Sequence, residues 1–181
     1  MSQHGYFKLI NFIWFQSIWV MAILWQNQWL WLLIALLALH LLVVHNKAAE
    51  ISLWVLGGTL GLALDGTLTY FEFFNFSAPP TILPIPLWLM AIWFAFLGTL
   101  RHSLSYLLNK PFLAIALGAI FAPISYIAGM RLGAVEFGHD LVTTALTIGI
   151  AWGVLMPILL FINDRANHLC ANNALTDQEA A

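Results

Sequence analysis

Charge is what this sequence has least of: 8% of its 181 residues are Asp, Glu, Lys or Arg, against 62% hydrophobic. That leaves too little polar surface to cover a water-soluble globule, so the solvent around most of the chain is lipid. Basic runs are missing as well, and a net charge of −2 without clustered cations excludes nucleic-acid binding, which needs Lys and Arg gathered against phosphates. The one cysteine, Cys170, excludes an intrachain disulfide or a cysteine metal cluster. Also lacking are a His-Glu-x-x-His zinc motif, a Gly-x-Ser-x-Gly elbow, a phosphate-cradling glycine loop and the spaced histidine boxes of membrane di-iron enzymes. Asp65-Gly66 resembles the start of the motif of enzymes that transfer activated phospholipid headgroups, but the later aspartates of that motif are absent. No complete catalytic signature remains, and no residue is assigned to a cofactor or a metal.

What the chain does have is apolar runs of about 16 to 22 residues, which at 1.5 Å of rise per residue match a hydrocarbon core of about 30 Å. Backbone groups in lipid need internal partners, and the alternating polarity of a barrel is missing, so the fold class is all-α. Six transmembrane helices are expected: Phe7 to Trp25, Trp29 to Val44, Ile51 to Phe71, Leu87 to Leu108, Phe112 to Gly129 and Leu141 to Ile162. Lys8 precedes an apolar run as in a signal peptide, but no small-residue cleavage site follows, so the first span is read as retained. Residues 1–162 form the membrane domain in this reading, and 163–181 a polar cytoplasmic tail, mostly disordered beyond a short helical extension. The prolines Pro79, Pro80, Pro84 and Pro86 mark the stretch from Glu72 to Pro86 as an outer loop. Trp25, Trp29 and Trp31 bracket the first turn as interfacial indoles do.

With both termini cytoplasmic, Lys8, Lys47, Arg101, Lys110 and Arg165 fall inside and Arg131 alone outside. This topology sorts the polar residues into two groups. The outer cluster holds Asp65, Tyr126, Arg131, Glu136, His139 and Asp140, while Asn11, His40, Arg101, His102 and Ser103 form an inner cluster for lipid headgroups or for packing. Asp65 and His102 stand on the order of 15 Å apart along the membrane normal, so one site should not use both.

Gly57, Gly61 and Asp65 recur every four residues, and Glu72 falls seven further on, so Asp65 is expected to face the bundle interior behind a close helix contact. A lipid-facing carboxylate would cost roughly 2.5 to 3.5 kcal/mol at mid-membrane. Two readings of Asp65 stay open: a structural partner of Arg131 or Tyr126, or a proton or cation site. Gly118, Ala122, Ser125 and Gly129 form a second small-residue face, with Pro123 placed to kink it. On the fourth span Thr99, His102, Ser103 and Tyr106 are expected on one helix face, and Arg101 is expected to snorkel toward the inner headgroups. Glu136-x-x-His139 has the i, i+3 spacing of a helical metal motif, but dinuclear sites need two copies and the sequence has one.

The runs WLMAIWFAFLGTLRHSLSYL at 88–107 and GAIFAPISYIAGMRLGAV at 118–135, with ALDG at 63–66, resemble an uncharacterised family of small polytopic bacterial inner-membrane proteins, a domain of unknown function. Asp65, Thr99, Ser103, Pro123, Tyr126, Gly129, Leu132, Gly133 and Ala134 carry the match, and Ala122 stands where the family often has Gly. The resemblance implies a multi-pass location in the bacterial inner membrane and, because such genes often neighbour those of cyclopropane fatty acid synthases, a lipid-linked role. The expected function is therefore an accessory protein in membrane-lipid modification or adaptation, with membrane lipids, another membrane protein or a second copy as partners. A small proton- or cation-coupled transporter using Asp65, and a membrane enzyme with an outer-face site, are the alternatives.

Overall fold

The fold is taken from a computed structural model, which describes the backbone of residues 3–77 and 83–179 and the side chains of 5–77 and 83–167. Pro79 and Pro80 of the expected outer loop, and the side chain of Cys170, lie outside the described residues. The described residues form six α-helices, α1 (Gln3–Trp25), α2 (Leu30–Val43), α3 (Lys47–Tyr70), α4 (Leu87–Arg101), α5 (Pro111–Arg131) and α6 (Leu141–Glu179), and two short strands, β1 (Phe74–Phe76) and β2 (Val135–Phe137). Four helical segments are long and apolar enough to cross a membrane: Gly5–Val43, Lys47–Tyr70, Pro111–Arg131 and Leu141–Asn167, while Leu87–Arg101 is apolar but shorter. The chain is thus all-α in class and has the make-up of a multi-pass membrane protein.

The first of those segments is folded on itself. Gln26 takes a left-handed φ of 49°, which no helix interior accommodates, and Trp25 and Trp29 stack across the turn with ring centroids 5.1 Å apart. Below the turn, Trp14 of α1 donates its indole N–H to the Leu36 carbonyl of α2 at 3.2 Å, so the two helices run antiparallel.

α4 is the hub, packed against α1, α2, α3 and α6. Its residues Trp88, Trp93, Ala95, Leu97 and Leu100 are buried from nearly every side, as a helix apolar all round requires. Helix α3 approaches it through glycine: a Cβ on Gly57 would meet the Leu97 side chain, and one on Gly61 would run into the Trp93 indole. Helices α5 and α6 close on each other likewise, with Gly118 against Met156 and Gly149 against the Ala119 carbonyl.

At the far end from the α2–α3 turn, β1 and β2 pair antiparallel in the register Phe74 with Phe137, Asn75 with Glu136 and Phe76 with Val135. The expected loops contain this ribbon, and its residues alternate apolar, polar, apolar on both strands. Phe74 is fully buried and stacks on Tyr126 at 4.9 Å, so the ribbon lids the helix bundle.

Four boundaries differ from expectation. Helix α3 begins at Lys47 instead of Ile51, capped by Asn46, whose side chain accepts the Ala49 N–H at 3.1 Å, and this draws Glu50 into its first turn. Its other end falls at Tyr70, so Glu72 leaves the expected helix face, taking a left-handed φ of 61° on the exposed surface. Helix α4 stops at Arg101, not Leu108, because the Leu104 N–H turns back to the Thr99 carbonyl at 2.7 Å and the Ser103 N–H is taken by Asn11 Oδ1 at 3.2 Å. His102 and Ser103 therefore sit in a turn, not on the expected continuous face. Helix α6 also runs without a break across the expected boundary at 162, and Asn163 is fully buried within it.

Candidate functional site

Helix α3 carries two carboxylates that are each fully buried, Glu50 in its first turn and Asp65 in its fifth. Fifteen residues of helix separate them by about 22 Å, which places them at opposite ends of the bundle.

The first centre is built around Glu50 where α2 and α4 end and α3 begins. His40 lies in the last turn of α2, Arg101 in the last turn of α4, and His102 directly after it. Two of these placements agree with the helix dipoles, a carboxylate at the N-terminus of α3 and the Arg101 guanidinium at the C-terminus of α4. Glu50 Oε1 lies 2.8 Å from His40 Nε2, and Oε2 lies 2.8 Å from Arg101 Nε and 3.4 Å from His102 Nε2. Arg101 also donates from Nη1 to Asn163 Oδ1 at 3.3 Å, and Asn163 donates in turn to the Leu100 carbonyl at 3.4 Å.

Aromatic rings fix the His40 plane. Trp14 stacks on it at 4.4 Å with 16° between the rings, and Trp54 stacks at 5.9 Å with 14°. His102 meets His40 edge-on at 5.3 Å and is met edge-on by Phe7 at 5.4 Å. Gly98 completes the wall: a Cβ there would lie 3.2 Å from His40 Nε2 and 3.3 Å from Glu50 Oε1. The nearest ligand atoms of His40, Glu50 and His102 all fall within 4.8 Å of one another.

The second centre, at the ribbon end of the bundle, is smaller and uses neutral donors. Tyr126 of α5 donates its hydroxyl to Asp65 Oδ1 at 2.7 Å, and Trp93 of α4 donates its indole N–H to Oδ2 at 2.8 Å. Trp93 is clamped between Gly61 and the Trp152 indole, which stacks on it at 4.9 Å, and Tyr126 is covered by Phe74. Asp65 thus ties α3, α4 and α5 together at one point.

The remaining residues of the two expected clusters are dispersed. Arg131 is exposed and does not reach Asp65. Glu136 is exposed on β2, and His139 Nε2 lies 3.1 Å from the Phe71 carbonyl, holding the β2–α6 connection to the end of α3. Asp140 caps α6, accepting the N–H groups of Val142 at 3.1 Å and Thr143 at 3.0 Å. Hydrogen bonding from Thr143, side chain and backbone, holds its carboxyl below the ordinary aspartate range. In the inner cluster, His40, Arg101 and His102 converge on Glu50 while Asn11 and Ser103 brace the turn beside it. Arg101 is turned inward, away from the expected headgroup position. Among the packing residues, Gly118 faces α6, Ala122 is buried, Ser125 accepts the Trp19 indole N–H at 3.0 Å, and Gly129 lies 3.4 Å by its virtual Cβ from Ile23.

The sequence reading missed Glu50, Trp93 and Asn163. For Glu50 a signal existed: Asn46 is a good cap, and a helix started there places the glutamate one turn inside the apolar run.

A family model matches residues 8–158, from the first helix well into the last. The chain belongs to DUF2878, a family of proteins of unknown function. The DUF2878 match takes in every residue of both carboxylate centres except Phe7, one residue before it, and Asn163, five residues beyond it. Neither a curated protein nor a solved structure matches the chain.

Proposed function

We propose that this DUF2878 protein is a six-span protein of the bacterial inner membrane, with both termini in the cytoplasm, that serves membrane-lipid modification or adaptation as an accessory component. The observation that carries this reading is the direction in which its groups face. Both buried carboxylates are engaged by donors from neighbouring helices, whereas large apolar side chains such as Trp31, Leu42, Phe112, Val142 and Ile150 face outward. A bundle of this kind meets lipid, or a membrane partner, through its exterior. The orientation is supported by the helix ends: Lys47 starts α3 and Lys110 caps α5 at the end where α4 finishes, and Arg131 finishes α5 at the other.

Mass spectrometry of total membrane lipids tests the role, in cells lacking the protein, carrying it, and carrying Asp65→Asn at equal expression. An accessory role predicts a specific lipid species that is lost on deletion and kept with Asp65→Asn. An unchanged profile under both normal growth and membrane stress rejects it.

A second reading, a small proton- or cation-coupled transporter, is favoured by one feature: Asp65 is fully buried with two neutral donors and no cation in contact among the described residues. Proton-linked uptake that survives Asp65→Asn would count against it.

A further inference from the structure

We propose that His40, Glu50 and His102 form a binding site for one divalent transition-metal ion at the α2–α3 end of the bundle. Two imidazoles and one carboxylate are a recurrent ligand set for zinc and for ferrous iron, and they leave coordination positions open. Here the three come from three different elements, α2, α3 and the turn after α4, and their ligand atoms already lie within 4.8 Å of one another. Metal–ligand bonds of about 2.0–2.2 Å require ligand atoms a little over 3 Å apart, so shifts of an ångström or so in side chains complete the site.

Two further observations set this cluster apart from an ordinary ion pair. His102 Nε2 is buried and makes no hydrogen bond, although it faces Glu50 Oε2 at 3.4 Å. A buried ring nitrogen without a hydrogen bond is uncommon enough to need a reason, and a metal supplies one. Gly98, in turn, leaves open the space beside His40 Nε2 and Glu50 Oε1 that any side chain would crowd.

The surroundings also match those that metal ligands need. Trp14 and Trp54 hold the His40 ring in one plane, so its nitrogen is aimed before the ion arrives. Arg101 grips Glu50 through Oε2, as outer partners commonly orient a ligating carboxylate, and its Nη1 bond to Asn163 draws the guanidinium away from the Oε1 side. His102, at 17% side-chain exposure, is the ligand open to the aqueous edge and gives the ion a way in.

The test uses the full chain purified in detergent without a histidine tag, titrated with Co²⁺ and, by competition, Zn²⁺. One ion per chain is expected, with Co²⁺ absorption of low-coordinate nitrogen–oxygen ligation. His102→Ala and His40→Gln should each weaken binding by about 100-fold, the upper end of what loss of supporting groups alone causes. His45→Ala and His139→Ala, which alter exposed histidines outside the cluster, should leave binding unchanged. A wild-type protein that holds no stoichiometric Co²⁺ or Zn²⁺ overturns the proposal. So does binding that His102→Ala and His40→Gln leave intact in protein of unchanged melting temperature.

Discussion

The Tyr126 hydroxyl lies 2.7 Å from Asp65 Oδ1, a hydrogen bond between residues 61 positions apart that joins α5 to α3 inside the apolar bundle. Tyr126→Phe removes this donor and leaves a carboxylate oxygen with no replacement, because Trp93 is already committed to Oδ2. The expected loss is about 1–3 kcal/mol, the cost of stranding a buried acceptor. In an Asp65→Asn background the same change should cost less, about 1 kcal/mol, since a neutral amide loses only an ordinary hydrogen bond. Thermal unfolding of the four proteins in detergent measures the difference, and equal losses in both backgrounds would contradict the assigned bond.

Gly61 has no room for a methyl group. Its Cβ would run into the Trp93 indole, which is fixed by its bond to Asp65 and its stack on Trp152 and so has nowhere to go. Gly61→Ala should therefore destabilise by about 1–3 kcal/mol through overpacking. Gly153→Ala is the matched control: its Cβ would find ordinary contacts, the nearest at 3.7 Å from Ala119, and the melting temperature should be unchanged or slightly raised.

Much of this architecture was legible in the sequence because lipid allows so few solutions. The apolar runs located all six helices, and the spacing of Gly57, Gly61 and Asp65 placed the aspartate toward the bundle interior, the side of α3 on which α4 packs. Tyr126 was already among the partners considered for Asp65. The Glu50 centre was not legible, because it depends on where α2 and α4 end and α3 begins. A fourth helix continued to Leu108 would have pointed His102 elsewhere, and nothing local shows that Asn11 would capture the Ser103 N–H. Glu50 stands just before the span expected from Ile51, and its partner Arg101, 51 positions away, is expected to snorkel to headgroups. The ribbon was hidden differently: three-residue strands are too short for a period to register, although Phe-Asn-Phe and Val-Glu-Phe both carry it.

Asp140 gives the start of α6 an acid-sensitive cap. Hydrogen bonding from Thr143 and from the Val142 N–H lowers its folded pKa below that of the unfolded chain. A depressed carboxylate contributes stability that is complete above the ordinary aspartate range and is lost as the pH falls through the lower, folded value. Asp140→Ala should lower the melting temperature at neutral pH and narrow the gap to wild type in acid, while Asp140→Asn, still an acceptor, should retain most of the cap. A gap that widens in acid would reverse the sign and reject the linkage.

Orientation can be read from two exposed positions at opposite ends of the bundle, His45 in the α2–α3 turn and Glu136 on β2. In a Cys170→Ser background, a thiol reagent that cannot cross the inner membrane should label Glu136→Cys in intact cells. It should reach His45→Cys only after permeabilisation. The reverse pattern would place Lys47 and Lys110 outside, against the positive-inside bias.

Glu50 should be the single most costly side chain to remove. Its carboxylate pairs with Arg101 Nε and faces both imidazoles, and its side chain is 1% exposed, so truncation leaves a guanidinium in apolar surroundings with, among the described residues, Asn163 to meet it. Glu50→Ala in metal-free protein should cost about 3–5 kcal/mol, the range for breaking a buried ion pair from one side. Removing both charges is a different matter, because the desolvation of Arg101 disappears with it. Glu50→Leu combined with Arg101→Leu should recover at least half of the loss, with the melting temperature above that of Glu50→Ala. If the double variant melts no higher, the cost of Glu50→Ala resides in the contacts to His40 and His102, and Arg101 is held in place by Asn163.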